Sequence, residues 1–189
     1  MARRELGGVD VAHDEYRLAA MRIRRARPED ARAIAEIHVR SWQSAYAGLL
    51  PHEALESLSI ADRAERWRGW LEQGLPDHRV WVAEEEDRIV GFTSTGPSRD
   101  QEPSSGTAEV YTLYLAPDLF GTGRGRVLFA HAMDDLRARG YRGAELWVLS
   151  GNDRARRFYE AAGWRTEDEE QTESLFEIEL RETRYRIEL

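Results

Sequence analysis

The spacing of apolar residues predicts a helix early in the chain. Pro28-Glu29-Asp30 has the character of a helix start, because proline lacks the N–H that would have no partner there and acidic residues suit the positive end of a helix. Ile34, Ile37 and Trp42 then recur at helical spacing. A first helix is therefore expected to run towards Tyr46.

A second helix is predicted after the breaks at Gly48 and Pro51. It starts at Ser59-Ile60-Ala61-Asp62, which resembles a capping box, and it contains Trp67 and Trp70. Gly74 is expected to end it.

Runs rich in β-branched and aromatic residues predict the strands, which are Met21–Arg25, Arg79–Glu84, Arg88–Thr95, Glu109–Leu115, Ala144–Leu149 and two strands within Trp164–Leu189. The second and third of these form a predicted antiparallel hairpin across a short acidic link. The segment Gly96–Gly106 is rich in Pro, Ser and Gly and is expected to be a loop.

Two further helices are predicted in the second half, Gly125–Arg139 and Asp153–Ala162, the latter capped by Asn152 or Asp153. The first of them lies between the strands Glu109–Leu115 and Ala144–Leu149, so these two strands should be parallel. The predicted fold class is an α/β or α+β sandwich. Its central sheet is mixed and mostly antiparallel, with one parallel βαβ unit and helices on both faces.

Length and composition limit the classes of protein. With 189 residues we expect a flexible N-terminal extension over residues 1–20 and a single domain over residues 21–189. The absence of cysteine excludes disulfides and a thiol nucleophile. The five histidines show no metal-binding spacing, so no metal is expected. The net charge of −8 and the lack of a long apolar run argue against nucleic-acid and membrane partners, and a cytoplasmic location is expected.

The segment Phe120-Gly121-Thr122-Gly123-Arg124-Gly125-Arg126, which we call the glycine turn, is a candidate phosphate site. It joins a predicted strand to a helix, where backbone N–H groups without helical partners and the helix dipole favour an anion. Arg124 and Arg126 could add charge-assisted contacts. A purely structural turn is the alternative. The dinucleotide-binding fingerprint would need Gly or Ala where Arg126 stands, and the lysine and hydroxyl pair of a P-loop is absent. Coenzyme A remains the best candidate ligand.

Two motifs resemble those of the GNAT superfamily of N-acetyltransferases. One is a strand and proline followed by (Gln or Arg)-x-x-Gly-x-(Gly or Ala), matched by Leu113-Tyr114-Leu115-Ala116-Pro117, Gly123 and Gly125. The other is matched by Asn152, Ala155, Phe158, Tyr159, Gly163 and Trp164. Phe120 departs from the pattern, because it stands where the family usually has Gln or Arg.

The resemblance implies acetyl-CoA as co-substrate, with no metal, and a set of cofactor-binding residues: Leu113, Tyr114, Leu115, Gly121, Thr122, Gly123, Arg124, Gly125, Arg126, Asn152 and Phe158. Asn152 would bond the pantetheine arm, unless it serves only as a helix cap. Family members often dimerise, so a homodimer is also implied.

The family reaction is direct attack of an amine on the acetyl thioester, and it suggests two catalytic residues. Tyr159 matches the general acid that protonates the departing thiolate, with a packed core tyrosine as the alternative. Glu109 is the candidate base, or else a solvated charge at a strand end. Simple alternation puts Glu109 on one strand face with Tyr111 and Leu113.

The acceptor is expected to contact the first helix and its following loop. Trp42, Gln43, Tyr46 and Pro51 resemble a pattern of bacterial family members, and Tyr111 is a further candidate. We expect acetyl transfer to a primary amine of a small molecule. Acetylation of a protein N-terminus or lysine, and a coenzyme A sensor or scaffold without turnover, are the alternatives.

Overall fold

The structure, a computed structural model, describes residues 18, 20–100, 106–175 and 178–189. Its helices and strands are β1 (Arg22–Arg25), α1 (Ala31–Ala45), α2 (His52–Glu56), α3 (Ile60–Gln73), β2 (Arg79–Glu85), β3 (Arg88–Pro97), β4 (Thr107–Leu115), α4 (Arg124–Ala138), β5 (Gly143–Leu149), α5 (Asp153–Ala161), β6 (Arg165–Leu175) and β7 (Ile178–Glu188). Of the predicted N-terminal extension, only Leu18 and Ala20 are described, and both are helical.

The helix ends follow the sequence signals. The Ser59 hydroxyl accepts a hydrogen bond from the Asp62 N–H at the start of α3, and Gly74 ends that helix with a φ of 54°. The Asn152 side chain caps α5 by accepting from the Ala155 N–H. Helix α2 escapes the sequence prediction, because five residues are too few to show a periodic apolar stripe.

The strands form one seven-stranded sheet in the order β1-β2-β3-β4-β5-β7-β6. Strands β4 and β5 are parallel, and the other neighbouring pairs in this described sheet are antiparallel. The predicted mixed sheet with one parallel βαβ unit is therefore confirmed. Strand β3 continues to Pro97, two residues into the segment predicted to be a loop.

Helices cover both faces of the sheet. On one face, apolar residues of α4 pack with β4, β5 and β7 in a cluster that includes Phe129, Leu136, Val110, Leu146 and Tyr185. On the other face, α1 and α3 pack on β2 and β3 in a second cluster that includes Ile34, Trp67, Val82 and Phe92. We call these the α4 face and the α1 face.

Strands β4 and β5 part soon after they meet. They pair at three positions, Thr107–Glu109 against Gly143–Glu145, although β4 continues to Leu115 and β5 to Leu149. Where the two strands have separated, the backbone N–H and C=O groups that face the opening have no partner on the neighbouring strand, so they need other hydrogen-bond partners. We call this opening the β4–β5 gap.

A β-bulge in β4 changes which side chains share a face. Ser94 pairs with Thr112 but Thr95 pairs with Val110, so Tyr111 is the extra residue. Val110 and Leu113 consequently both pack on the α4 face. The expectation that Glu109 and Leu113 lie on the same face is therefore wrong, because the bulge reverses the alternation between them.

Candidate active site

The glycine turn presents backbone donors at the start of α4. Gly121 and Gly123 have φ values of 80° and 86°, in the left-handed region that glycine tolerates best. Within the described residues, the N–H groups of Gly121, Gly123 and Gly125 donate to no oxygen, whereas the N–H of Val127 donates to the Gly123 carbonyl at 3.2 Å. Unsatisfied donors at the positive end of a helix fit a phosphate group.

A close approach of α4 to β4 explains the glycine at the second family position. A Cβ built on Gly125 would lie 2.7 Å from Cδ1 of Leu115 and 3.9 Å from Cε2 of Phe158. The first turn of α4 therefore packs directly on the end of β4, at the border of the β4–β5 gap. Phe158 in turn packs against Phe129 of α4, with ring centroids 5.5 Å apart.

The two arginines of the glycine turn have different environments. Arg124 is fully buried, and its Nε donates to Oε1 of Glu85 at 2.6 Å. The charge-assisted cofactor contact expected of the Arg124 side chain is therefore wrong, because the guanidinium is fully buried and paired with Glu85 of β2. Arg126 is exposed and makes no ion pair with the described residues. The Thr122 hydroxyl donates to the Leu119 carbonyl at 2.7 Å.

Phe120 has an arginine stacked on it. The guanidinium carbon of Arg154, in the first turn of α5, lies 3.7 Å from the Phe120 ring centroid. Burial lowers the pKa of Arg154 from its usual value, and Tyr46 opposes this shift. Within the described residues Arg154 has no carboxylate partner. A cation thus stands beside the turn at the place where the family motif would supply a polar side chain.

Asn152 uses only part of its hydrogen-bonding capacity to cap α5. It is 9% exposed, and its Oδ1 accepts from the Ala155 N–H at 3.1 Å. The amide Nδ2 can still donate two hydrogen bonds. A helix cap and a contact to a pantetheine carbonyl are therefore compatible.

Tyr159 lies in an aromatic cluster behind the gap. It is 9% exposed and packs with Phe129, Trp164 and Tyr185, with ring centroids 5.6, 6.1 and 6.3 Å away. Burial, and secondarily Tyr114, raise the pKa of Tyr159 well above its usual value. The phenol consequently keeps its proton at neutral and moderately alkaline pH, as a general acid must.

A second aromatic group connects α1 to β4. Trp42 Nε1 donates to the Tyr114 hydroxyl at 2.9 Å, and the His38 ring stacks on Tyr114 at 4.9 Å. Burial lowers the pKa of His38 to about 3, so His38 is neutral. Burial, and then the neighbouring Tyr114 and Tyr159, raise the pKa of Tyr46. The phenols of Tyr46, Tyr114 and Tyr159 thus influence one another across the gap.

The other acceptor candidates are held in place by local contacts. Gln43 donates to the Leu55 carbonyl at 3.1 Å, and Pro51 is the residue before the first turn of α2. The loop between α1 and α2 reaches the turn after β5, because a Cβ on Gly151 would lie 2.8 Å from Cδ2 of Leu49. Trp42 and Tyr46 thus reach Tyr114 of β4, whereas Gln43 supports the loop.

Glu109 is the last residue of β4 that pairs with β5. It is 2% exposed, and it accepts from the backbone N–H of Arg99 at 2.9 Å and from the Arg99 Nε at 3.1 Å, while the terminal Nη2 of Arg99 is in close contact. The next strand carries Glu145 at the same level, which accepts from the Nε of Arg186 at 3.1 Å. Glu109 is thus a buried, paired carboxylate and not a solvated strand-end charge.

Sequence reasoning missed Arg99 and Arg154. Arg99 lies in a segment read only as a loop, and a long-range ion pair leaves no periodic signal. For Arg154 there was a usable sign: the first turn of a helix favours acidic residues, and a basic residue there is unexpected unless it serves another purpose.

The described residues offer neither a metal site nor a membrane span. No group of three or more His, Cys, Asp or Glu side chains in these ranges could hold a metal ion. None of the helices in these ranges has the length and apolar character needed to span a bilayer.

Comparisons with known proteins agree with this geometry. The profile of the "Acetyltransferase (GNAT) family" matches residues 31–164. The "Uncharacterized N-acetyltransferase YuaI" of Bacillus subtilis is 33% identical over 132 residues, which are 69% of this chain and 72% of that protein. A "Mycothiol acetyltransferase" of Beutenbergia cavernae is 45% identical over 62 residues, but these cover only 33% of this chain and 21% of that longer protein.

Among solved structures, the PaiA N-acetyltransferase of Thermoplasma acidophilum, in complex with coenzyme A, superposes with a TM-score of 0.68. The match covers 89% of this chain and 99% of that one at 21% identity, which supports the fold. With the profile spanning more than half of the chain, this protein belongs to the GNAT family and is an acetyl-CoA-dependent N-acetyltransferase.

Proposed function

We propose that this protein transfers the acetyl group of acetyl-CoA to a primary amine of a small molecule, by direct attack in a ternary complex. The observation that carries the proposal is the β4–β5 gap. It opens after Glu109, the first turn of α4 packs on the end of β4 beside it, and the phenol of Tyr159 lies close enough to Tyr114 of β4 for the two groups to influence each other. Donor and acceptor can therefore meet between a base and an acid.

The cofactor is held mainly by main-chain groups. The N–H groups of Gly121, Gly123 and Gly125, which have no acceptor among the described residues, donate to the pyrophosphate, and Arg154 adds a positive charge next to the turn. The Nδ2 of Asn152 and the separated edge of β4 near Leu113 and Leu115 supply partners for the pantetheine arm. Acetyl-CoA supplies an activated acetyl thioester.

Tyr159 supplies the proton for the leaving sulfur. During the transfer the C–N bond forms and the C–S bond breaks, so the sulfur needs a proton. Burial raises the pKa of Tyr159, and the same desolvation raises that of a thiolate released beside it. The two groups therefore remain matched for proton transfer.

Glu109 receives the proton of the amine, either directly or through a chain of water molecules. An alkylammonium group with a pKa of about 10.4 is only about 0.1% neutral at pH 7, so the enzyme must remove a proton before the attack. Glu109 is one of two buried carboxylates at the point where the gap opens, and the other, Glu145, is bonded by Ser98 and Arg186. Its recessed position favours a slender amine over a broad protein surface.

A panel of acceptors distinguishes the proposal from its alternatives. Thiol release would be measured with polyamines, amino sugars and amino-acid amines, and in parallel with peptides that carry a free N-terminus or a lysine. We expect the highest kcat/KM with a small amine. Turnover with peptides alone would reject the small-molecule acceptor. Calorimetric binding of acetyl-CoA without turnover on any acceptor would favour a sensor.

A further inference from the structure

In the ion pair between Glu109 and Arg99, the two side chains differ greatly in solvent exposure. The Glu109 side chain is 2% exposed, whereas the Arg99 side chain that pairs with it is 67% exposed. The comparable pairs are more enclosed, because Arg124 opposite Glu85 is 0% exposed and Arg186 opposite Glu145 is 26% exposed. The cation at Glu109 is therefore carried by an arm that can move into water, while the carboxylate remains buried.

An aromatic wall completes this cation site. The guanidinium carbon of Arg99 lies 4.7 Å from the centroid of the Tyr111 ring. The ring is held by a hydrogen bond from its hydroxyl to the Pro97 carbonyl at 2.5 Å, and the His78 ring stacks on it at 5.4 Å. A fixed aromatic face beside a buried carboxylate is a good receptor for an organic cation.

The position of this site coincides with the place where an acceptor amine must arrive. Glu109 is paired with Glu145 at the last rung between β4 and β5, and Tyr111 is the bulged residue two positions further along β4. The β4–β5 gap opens directly beyond them. The two carboxylates on this rung have different partners. Glu145 accepts hydrogen bonds from Ser98 and Arg186, whereas Glu109 accepts them from Arg99.

We propose that Glu109 and Tyr111 form the subsite for the ammonium group of the acceptor, and that Arg99 occupies this subsite in the ligand-free protein. The inference rests on the proposed function and deepens it, because it assigns the residues that receive the ammonium group and the internal cation that competes with it. Binding exchanges one cation for another. The acceptor displaces the Arg99 guanidinium, which returns to water, and the buried carboxylate is never left without a counter-charge.

The test removes the Arg99 guanidinium by substitution and adds methylguanidinium, a small cation that can take its place. In Arg99→Gln, methylguanidinium is expected to bind beside Glu109 and to raise Tm by about 3 °C at about ten times its dissociation constant. The wild-type Tm should change by no more than about 0.5 °C, because Arg99 competes for the same site. Neither measurement needs turnover, so the outcome is independent of whether an acceptor is found.

Two controls make the result specific. Arg186→Gln removes an arginine from the neighbouring carboxylate and should gain no comparable response to methylguanidinium. Arg99→Gln combined with Glu109→Gln has no buried charge to neutralise and should also gain none. Equal Tm shifts in wild type and Arg99→Gln, or no shift in Arg99→Gln, would overturn the assignment. Once an acceptor is known, its KM should fall about tenfold in Arg99→Gln while acetyl-CoA affinity stays the same.

Discussion

The Tyr159→Phe variant is expected to lose about 100- to 1000-fold in kcat while its affinity for acetyl-CoA changes by less than about threefold. Only the proton donor is removed, because the Tyr159 hydroxyl has no hydrogen-bond partner among the described residues and the ring packing is kept. Thiol release gives kcat, and calorimetric titration gives the affinity.

Tyr185→Phe is the matched control, because Tyr185 belongs to the same aromatic cluster. Its hydroxyl donates to Glu160 at 2.8 Å and accepts from Arg156 at 3.1 Å, so the change should cost about 1–2 kcal/mol of stability and leave kcat nearly unchanged. Because the pKa of Tyr159 is raised, wild-type kcat should show no alkaline decline at pH 9. Equal kcat for Tyr159→Phe and wild type would remove Tyr159 from the acid role.

Replacement of Gly123 by aspartate is expected to weaken acetyl-CoA binding at least about 100-fold. The new carboxylate would stand among the free N–H groups of the glycine turn and repel the pyrophosphate, and a second charge of the same sign in such a site costs several kcal/mol. Calorimetric titration with acetyl-CoA measures the loss.

Gly140→Asp controls for backbone strain. Gly140 follows the other end of α4, its φ of 84° nearly equals the 86° of Gly123, and a Cβ there would meet nothing within 4 Å. Gly140→Asp should lose at least as much stability as Gly123→Asp, because its carboxylate stands at the negative end of α4, but it should bind acetyl-CoA like wild type. Equal losses of acetyl-CoA affinity in both aspartate variants would mean that strain, not charge, is responsible.

In the same titration, Arg154→Gln should lower the affinity for acetyl-CoA about three- to tenfold, since the main-chain donors remain.

The fold was largely predictable because its signals are local. The Ser59 cap, the Asn152 cap and the strand–glycine turn–helix order around Gly123 each depend on a few neighbouring residues. The parallel pairing of β4 and β5 follows from the length of the connection between them. By contrast, the bulge at Tyr111 depends on the register between two strands, which no single run of residues records.

The candidate site was predictable only in its motifs. The predicted helix and its Asn152 cap are confirmed, and they put Asn152 at the start and Tyr159 near the end of α5. The side-chain partners of Glu109 and Arg124 were not predictable, because Arg99 and Glu85 are brought to them by tertiary contacts. The same applies to Arg154, which reaches Phe120 from a helix that follows a different strand.

Amide hydrogen exchange with and without acetyl-CoA tests the central claim most directly. If main-chain donors of the glycine turn hold the pyrophosphate and the edge of β4 holds the pantetheine arm, two segments should become protected together: Gly121–Val127 and Leu113–Leu115. Strand β6, at the far edge of the sheet, should not change. Binding of acetyl-CoA that leaves the exchange of Gly121–Val127 unaltered would contradict the account.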